Sequence, residues 1–225
     1  MRILYEDNHI IVVYKSSGEI VQGDKTGDLT LADMVKQYIK VKYAKPGDVF
    51  LGVVHRLDRP VAGLVVFART SKALARLNEM FRKGEVHKTY WAITIQRPQA
   101  DEGTIEGWIT RNEKLNKSFH HIREVADSKH AVLNYQFLAS SDRYHLLKVN
   151  LLTGRHHQIR CQLAAIGCPI KGDLKYGAPG SNPDGSISLL ARRIEFVHPV
   201  SKVPIDIVAP LPDDRLWREI AKNAK

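Results

Sequence analysis

The stretch HRLDRPVAGL, residues 55–64, places one carboxylate, Asp58, between two arginines and just ahead of a strongly apolar run, GLVVFAR (63–69). The run is rich in β-branched residues and predicts a buried strand, so Asp58 is expected on a loop or at a strand entrance. Two cations beside one acid fit either a surface salt-bridge turn or a reactive carboxylate held next to a polyanion.

Similar runs elsewhere in the chain predict a mixed α and β protein. Strands are predicted over 9–15, 88–95, 130–139 and 144–152, and helices over roughly 30–42, 71–84, 156–167 and the C-terminal DRLWREIAKN. In the helix at 71–84, Ser71 is the expected cap and Gly84 the expected stop. Strands outnumber helices and lie in blocks, which favours an α+β fold with a largely antiparallel mixed sheet flanked by helices and loops. With no repeat or long linker, we expect one domain over residues 1–225.

The charge distribution indicates a polyanionic partner. The 225 residues carry a formal net charge of +10, from 34 lysines and arginines against 24 acidic residues. Residues 55–90 hold eight basic residues against three acidic ones, and residues 153–193 hold six against two. A fold that brings these stretches together would present a basic surface to phosphates, as nucleic-acid-binding proteins do. Solvated helix faces are the simpler alternative for many of these cations.

The cysteine content and the hydropathy pattern predict the cellular compartment. The chain has only Cys161 and Cys168, so no disulfide framework is predicted and a reducing compartment fits. No stretch has the apolar length of a signal peptide or a membrane span. We therefore expect a cytoplasmic protein with no membrane partner, and a monomer as the default state.

The chemistry open to Asp58 follows from its surroundings. Neighbouring guanidinium groups favour the ionised carboxylate, which can serve as a metal ligand, a general base or a covalent nucleophile. A metal site at Asp58 would need further ligands, but no second acid lies nearby in the sequence and the basic surroundings repel a divalent cation. The pairs His120-His121 and His156-His157 would point about 100° apart on a helix, and the cysteines lack the spacing of a zinc site. We expect no metal and no cofactor.

A second block, LLTGRHHQIRCQLAAIGCPIKGDLKYGAP (151–179), leaves the preceding strand through a Thr-Gly turn, after which Arg155 is expected to open a helix. Arg160 falls at the margin of the apolar stripe of that helix, where its stem can pack while its guanidinium reaches a partly buried carboxylate. A pair between Asp58 and Arg160 would explain why two basic blocks coexist. Simple solvation of the helix by Arg155 and Arg160 is the alternative.

These blocks resemble a known family in order and spacing. HRLDRPVAGL resembles the signature of the RluA-type pseudouridine synthases, HKTYWAI (87–93) resembles their lysine-x-tyrosine strand, and TGRHHQIR with GCPIKGDLKYG resembles their third block. YEDNHIIVVYKSSGEIVQ and EFVHPVSKVPIDIVAPLP (195–212) are similar to the first and last segments of the family. The resemblance covers residues 3 to about 212. It implies the pseudouridine synthase fold as a single catalytic domain, with no appended S4-type RNA-binding domain.

The resemblance also implies an activity and its residues. The activity is isomerisation of uridine to pseudouridine in transfer-RNA or ribosomal-RNA stem-loops, with base flipping and no cofactor. By similarity Asp58 is the nucleophile or the group that breaks the glycosidic bond, Arg160 pairs with it, and Tyr90 packs on the target base. Further residues are implied to bind or position the RNA: Arg56 in the space of the flipped nucleotide, Arg59 near phosphate, and His55, Arg155, His157 and Gln158. From the residues alone, Tyr90 on its apolar strand fits a core position better than a catalytic one, and His55 fits a hydrogen-bonded structural histidine better than a catalytic one.

The chain departs from the family pattern at several positions. Val61 and Ala62 stand where the family usually has threonine and serine, so two hydroxyls are missing beside the Asp58 loop. If those hydroxyls pack or cap the loop, the loss is mild; if one contacts RNA, the target differs. His156 stands where a small residue is usual, and Ser16 and Ser17 follow Lys15 where proline is usual.

Two functional classes remain open from the sequence. The favoured class is an RNA-modifying isomerase that depends on Asp58. The alternative is a non-catalytic RNA-binding or RNA-folding protein on the same scaffold. Both would bind RNA with an affinity that falls steeply with salt, so salt dependence does not separate them.

Overall fold

A computed structural model describes residues 1–23 and 27–224. Among these residues, eleven strands and four α-helices confirm the α+β class. The strands are β1 (Arg2–Glu6), β2 (Ile10–Lys15), β3 (Gly52–Val53), β4 (Ala62–Ala68), β5 (His87–Thr94), β6 (Glu102–Asn112), β7 (Lys117–His121), β8 (Lys129–Ser140), β9 (His145–Leu151), β10 (Leu189–Val197) and β11 (Pro204–Val208). The helices are α1 (Leu31–Lys42), α2 (Ser71–Lys83), α3 (Gln158–Ala165) and α4 (Arg215–Lys222), with a short 3-10 helix over Leu174–Tyr176.

The chain divides into two compact units. The first consists of Met1–Val86 and Arg193–Pro210, and the second of His87–Arg192 and Leu211–Lys225. The expectation of a single domain over the whole chain stays a prediction. No helix within the described ranges is long and apolar enough to cross a bilayer.

In the first unit, β2 and β4 form the centre of the sheet. They pair antiparallel from Ile10 opposite Ala68 to Lys15 opposite Gly63, while β1 extends the β2 edge and β3 pairs with β4. Every residue of β4 is buried, which is why the sequence reads as a continuous apolar run rather than an alternating one. Gly63 has φ 128°, a backbone conformation that favours glycine, at the point where the Asp58 loop enters the strand.

Helix ends follow the expected capping rules with one correction. The side chain of Thr70, not Ser71, caps α2 by accepting from the backbone N–H of Ala73, so Ser71 is the first helical residue. Gly84 ends α2 in the left-handed conformation, as predicted. In α1, Thr30 and Asp33 form a reciprocal capping box.

The second unit contains an antiparallel sheet in the order β5-β9-β8-β6-β7. The strand register places Tyr90 of β5 in one row with Val149 of β9, Tyr135 of β8 and Gly103 of β6. Because every second residue of a strand points to the same side of the sheet, Ile109 of β6 lies on the same face as Tyr90. We call this the inner face, because Ile109 packs there with Ala131, Cys161 of α3 and Tyr176. The opposite, outer face carries Trp108 of β6, and α4 packs against β8 and β9.

The start of α3 differs from the prediction. The helix begins at Gln158, and His157 before it has φ 52° in the left-handed region. Arg155 therefore precedes the helix instead of opening it. His156 and His157 do not diverge as they would on a helix; their rings stack with centroids 3.8 Å apart.

Candidate active site

Asp58 lies on the connection between β3 and β4 in the first unit, as the sequence predicted. Its side chain is partly exposed, whereas Leu57 before it is buried and Val61 after it is buried. The backbone N–H of Val61 donates to the carbonyl of Asp58 at 3.0 Å, which closes a turn around Arg59 and Pro60. The carboxylate is thus presented from a tight, anchored turn.

The buried side chain of Lys15 supports this turn. Lys15 ends β2 with none of its surface exposed, and its ammonium donates to the carbonyls of Ser16 at 3.1 Å, Asp58 at 3.2 Å, Arg59 at 3.1 Å and Val61 at 2.7 Å. Three of these carbonyls belong to the Asp58 turn. The lysine therefore fixes the backbone of the turn through its main-chain carbonyls.

Burial changes the pKa of Lys15. Desolvation lowers the pKa of its ammonium to about 8, although the negative charges of Glu19 and Asp58 oppose the shift. At neutral pH the side chain is still mostly protonated and can donate to its carbonyl partners. Sequence reasoning did not select Lys15, since a lysine that ends a strand is ordinarily solvent-exposed.

The other motif residues of the first unit fall into distinct environments. His55 Nε2 accepts from the backbone N–H of Val66 at 3.0 Å, and its ring stacks on Phe81 at 5.0 Å between centroids. Arg59 is half-exposed, with Nε 3.1 Å from the Gly18 carbonyl and one guanidinium nitrogen 2.5 Å from the Asp28 carboxylate. Arg56 is exposed. Its predicted place beside a flipped nucleotide, and the RNA contacts predicted for His55 and Arg59, stay predictions.

The two positions that lack the usual hydroxyls point into the protein. Val61 is 2% exposed and Ala62 is 7% exposed. Apolar side chains at these buried positions contribute to the core beside the turn. Whether the missing hydroxyls change the RNA target stays a prediction.

Tyr90 and the lysine-x-tyrosine strand belong to the second unit. Tyr90 is 7% exposed on the inner face of β5, opposite Val149 of β9. Two residues earlier, Lys88 lies beside Gly154 of the Thr-Gly turn, since a Cβ built on that glycine would lie 3.5 Å from the lysine Nζ. Burial lowers the pKa of the Lys88 ammonium.

Arg160 forms a buried ion pair within the second unit. Its Nε lies 2.7 Å from one carboxylate oxygen of Asp173 and a terminal guanidinium nitrogen lies 2.8 Å from the other. Both side chains are almost completely buried, and the guanidinium carbon sits 5.0 Å from the centre of the Tyr176 ring. Bidentate pairing fixes the plane of the guanidinium. The predicted pair with Asp58, which belongs to the first unit, stays a prediction.

A polar network surrounds this ion pair. Tyr176 accepts at its hydroxyl from the backbone N–H of Ser118 at 2.8 Å, and the same hydroxyl lies 2.9 Å from His157 Nδ1. Burial, reinforced by the charge of Arg160, lowers the pKa of His157 to about 2. Burial raises the pKa of Tyr176 to about 12. Both groups are neutral at physiological pH.

The remaining predicted residues shape the entrance to α3. Gln158 accepts at Oε1 from the Thr153 hydroxyl and from the Arg155 backbone N–H, both at 2.9 Å, and its amide donates to the Val132 carbonyl. These bonds lock the TGRHH loop onto β8. Arg155 is exposed and donates from Nε to the carbonyl of His130 at 2.8 Å.

The structure thus groups the predicted residues by unit. His55, Arg56, Asp58 and Arg59 share one turn region, and Tyr90, Arg155, His157, Gln158 and Arg160 share the second unit. Sequence reasoning missed Asp173, although it stands inside the GCPIKGDLKYG block and is the single acid there. Among the residues that the structure describes, no group of three or more histidine, cysteine or acidic side chains is arranged to hold a metal ion.

The α+β fold and this ordered set of motif residues define a class of protein, the enzymes that modify bases in RNA. The chain belongs to the RNA pseudouridylate synthase family, whose sequence model matches residues 9–165. This confirms the resemblance to RluA-type synthases and the class of fold.

Individual relatives agree with this assignment. The chain is 34% identical over 227 residues to ribosomal large subunit pseudouridine synthase D of Xylella fastidiosa, covering 94% of this chain and 66% of that protein. It is 33% identical to an uncharacterized RNA pseudouridine synthase, YhcT, of Bacillus subtilis, covering 94% of this chain and 69% of that one. The solved structure of human RNA pseudouridylate synthase domain containing 4 superposes with a TM-score of 0.78 at 26% identity, covering 96% and 90% of the two chains. The chain spans about two thirds of the length of these curated relatives.

Proposed function

We propose that this protein is an RNA pseudouridine synthase that isomerises specific uridines in structured RNA, with Asp58 as the reacting carboxylate. The observation that carries the proposal is the construction of the Asp58 turn. Its backbone is fixed by the buried Lys15, while Asp58 as a residue is partly exposed. A reacting group needs both a fixed position and access to substrate.

The proposed reaction needs no redox partner. The N1–C1′ bond of uridine breaks, the uracil turns, and C5 bonds to C1′; the hydrogen at C5 leaves as a proton and N1 gains one. Asp58 acts as the nucleophile in this scheme, or as the group that assists cleavage of the glycosidic bond. Base flipping brings the target nucleotide out of its stack to the carboxylate. The same atoms are present before and after, so the chemistry is an isomerisation.

Three further residues have proposed roles in that reaction. Tyr90 packs on the uracil from the inner face of β5. Arg160, whose plane is fixed by Asp173, pairs with the Asp58 carboxylate and orients it. Arg56 is exposed and occupies the space of the flipped nucleotide, because a planar cation can stack on the neighbouring bases.

The RNA substrate is proposed from the relatives' names. Several relatives are named for the large ribosomal subunit, including synthase D of Xylella fastidiosa and synthase C of Rickettsia bellii. We therefore place a ribosomal RNA stem-loop ahead of a transfer RNA as the target. The protein acts as a monomer in the cytoplasm in this proposal.

The test compares the wild type with Asp58→Ala and Asp58→Asn on unmodified ribosomal and transfer RNA, with chemical mapping of pseudouridine. Lys15 donates to the main-chain carbonyl of Asp58, a bond that both substitutions retain, so both variants should fold normally while activity falls by more than about a thousandfold. Asp142→Ala, a change in an exposed loop, is the matched control and should retain activity.

Two outcomes would contradict the proposal. Full activity of Asp58→Ala would remove the assigned role of the carboxylate. RNA binding that survives Asp58→Ala, with no isomerisation of any cellular RNA by the wild type, would instead identify a non-catalytic RNA-binding protein.

A further inference from the structure

The outer face of β6, β7 and β8 carries a set of aromatic side chains that the proposed reaction does not use. Trp108 of β6 lies directly opposite His121 of β7 and His130 of β8, and Thr110 of β6 lies opposite Phe119. Side chains alternate along a strand, so this row points away from Tyr90 and the inner face. We refer to Trp108, Phe119, His121 and His130 as the outer platform.

The members of the outer platform are accessible to solvent. Phe119 is 39% exposed and the His130 side chain 47% exposed, while Trp108 and His121 are partly exposed. The rings of Trp108 and His130 lie 5.4 Å apart. Phe119 is the diagonal cross-strand neighbour of Trp108, a relation that separates two side chains by about 7 Å. The register therefore makes Trp108 and Phe119 neighbouring aromatic side chains on the outer face.

Hydrogen bonds hold the two imidazoles in place. His130 Nε2 lies 2.8 Å from the Glu106 carboxylate, and His121 Nε2 lies 2.9 Å from the Thr110 hydroxyl. Both partners lie on the same outer face, two residues before and two residues after Trp108 on β6. A ring fixed by its neighbours loses little rotational freedom when a ligand stacks on it, so the platform is pre-organised.

Cations border the platform on two sides. The Lys117 ammonium lies 5.6 Å from the centre of the Phe119 ring at the edge strand β7. Arg155, exposed and bonded to the His130 carbonyl, lies along the other side of the platform at β8. These strands carry two acids, Glu102 at the start of β6 and Glu106, and His130 engages the one nearer to Trp108, Glu106. Exposed aromatic faces flanked by cations are the arrangement with which proteins bind unpaired nucleotides, through stacking and phosphate contacts.

We propose that the outer platform binds single-stranded RNA, with one base stacked on Trp108 and a neighbouring base on Phe119, and with Lys117 and Arg155 at the phosphates. This surface would hold an unpaired segment of the substrate away from the reacting uridine. The inference rests on the proposed function only in taking RNA as the partner. It assigns Arg155 to phosphate binding at the platform, beyond its role in the TGRHH loop.

The test measures binding of a fluorescently labelled single-stranded oligouridine by anisotropy. Trp108→Ala and Phe119→Ala should each weaken binding by roughly 5- to 150-fold, the effect of losing one stacked base. Trp108→Phe keeps a π face and should bind close to the wild-type level. Leu115→Ala is the matched control, because Leu115 is 58% exposed in the same β6–β7 hairpin but has no π face.

A second readout identifies the residue that is stacked. The chain has three tryptophans, and oligouridine should quench the share of fluorescence that comes from Trp108. Trp108→Phe should lose this quenching while it retains binding. Wild-type affinity in both alanine variants, an equal loss in Trp108→Phe, or unchanged quenching in Trp108→Phe would each overturn the proposal.

The outcome is separable from that of the proposed function. Normal binding by Trp108→Ala with Asp58-dependent isomerisation in the wild type would refute the platform and leave the enzyme assignment intact. Lost binding by Trp108→Ala without any isomerisation by the wild type would support the platform and refute the enzyme.

Discussion

Replacing Lys15 with methionine tests how the Asp58 turn is held. Methionine keeps the length and the apolar stem but removes the four hydrogen bonds donated to the carbonyls of Ser16, Asp58, Arg59 and Val61. The carbonyls of Asp58 and Arg59 also accept backbone N–H groups, and Ser16 is exposed, so the cost falls mainly on the buried carbonyl of Val61. At about 1–3 kcal/mol for a buried group that loses its partner, we expect a loss of about 2 kcal/mol in the free energy of unfolding.

Urea denaturation at pH 7 measures this loss. Lys36→Met, an exposed change on α1, is the control and should alter the free energy of unfolding by less than about 0.5 kcal/mol. Isomerase activity of Lys15→Met should fall at temperatures where the variant is still folded, because the turn that presents Asp58 loosens. A loss in stability below about 1 kcal/mol would refute the view that Lys15 anchors the turn.

The pH dependence gives an independent check on Lys15. Its pKa is about 8 in the folded protein and 10.5 as the reference for the unfolded chain, so between these values the unfolded chain binds more protons. Stability from this residue therefore rises with pH across that window, by about 2 kcal/mol at pH 9.5. The stability difference between wild type and Lys15→Met should widen from pH 7 to pH 9.5. A constant difference would contradict the lowered pKa.

Two further predictions concern the second unit. Asp173→Asn leaves the Arg160 guanidinium buried beside a neutral partner. The free energy of unfolding measured by urea denaturation should therefore fall by about 3 kcal/mol or more. Asp142→Asn is the exposed control, and a loss for Asp173→Asn as small as that of the control would contradict the prediction. The imidazole of His157, whose pKa is about 2, should show no titration between pH 4 and pH 8 by NMR. Because the unfolded chain takes up this proton near pH 6.5, His157 alone should make the protein about 2 kcal/mol less stable at pH 5 than at pH 7.

Local patterns predicted the elements whose sequences are locally distinctive. The structure confirms the predicted strands around Val65, Tyr90 and Val149. Their sequences are continuous apolar runs or are rich in β-branched residues. β6 and β10 were missed, since EGTIEGWITRN carries two glycines and two acids and LLARRIEFV has adjacent arginines at its centre. Pairing with neighbouring strands, which single-sequence propensity does not contain, sets the conformation of both.

The part of the candidate site that the sequence predicts is the position of Asp58, because a local motif contains it. Asp58 was selected from its two flanking arginines, and the structure places it on the expected connection. Lys15 and Asp173 were missed because nothing in their local sequence distinguishes a buried ion from a solvated one. Their roles arise from tertiary neighbours, four carbonyls for one and a guanidinium for the other.

The division of the chain into units has a consequence for its biosynthesis. The first unit needs Arg193–Pro210 as well as the N-terminal residues, and the second needs α4 at the C-terminal end of the described chain. During vectorial synthesis on the ribosome, the first unit can therefore be completed only after Pro210 has been translated, and the second only after α4 has been translated. Until then the incomplete units expose apolar surface and unpaired strand edges, which makes chaperone protection during translation more important than for a protein with sequentially contiguous units.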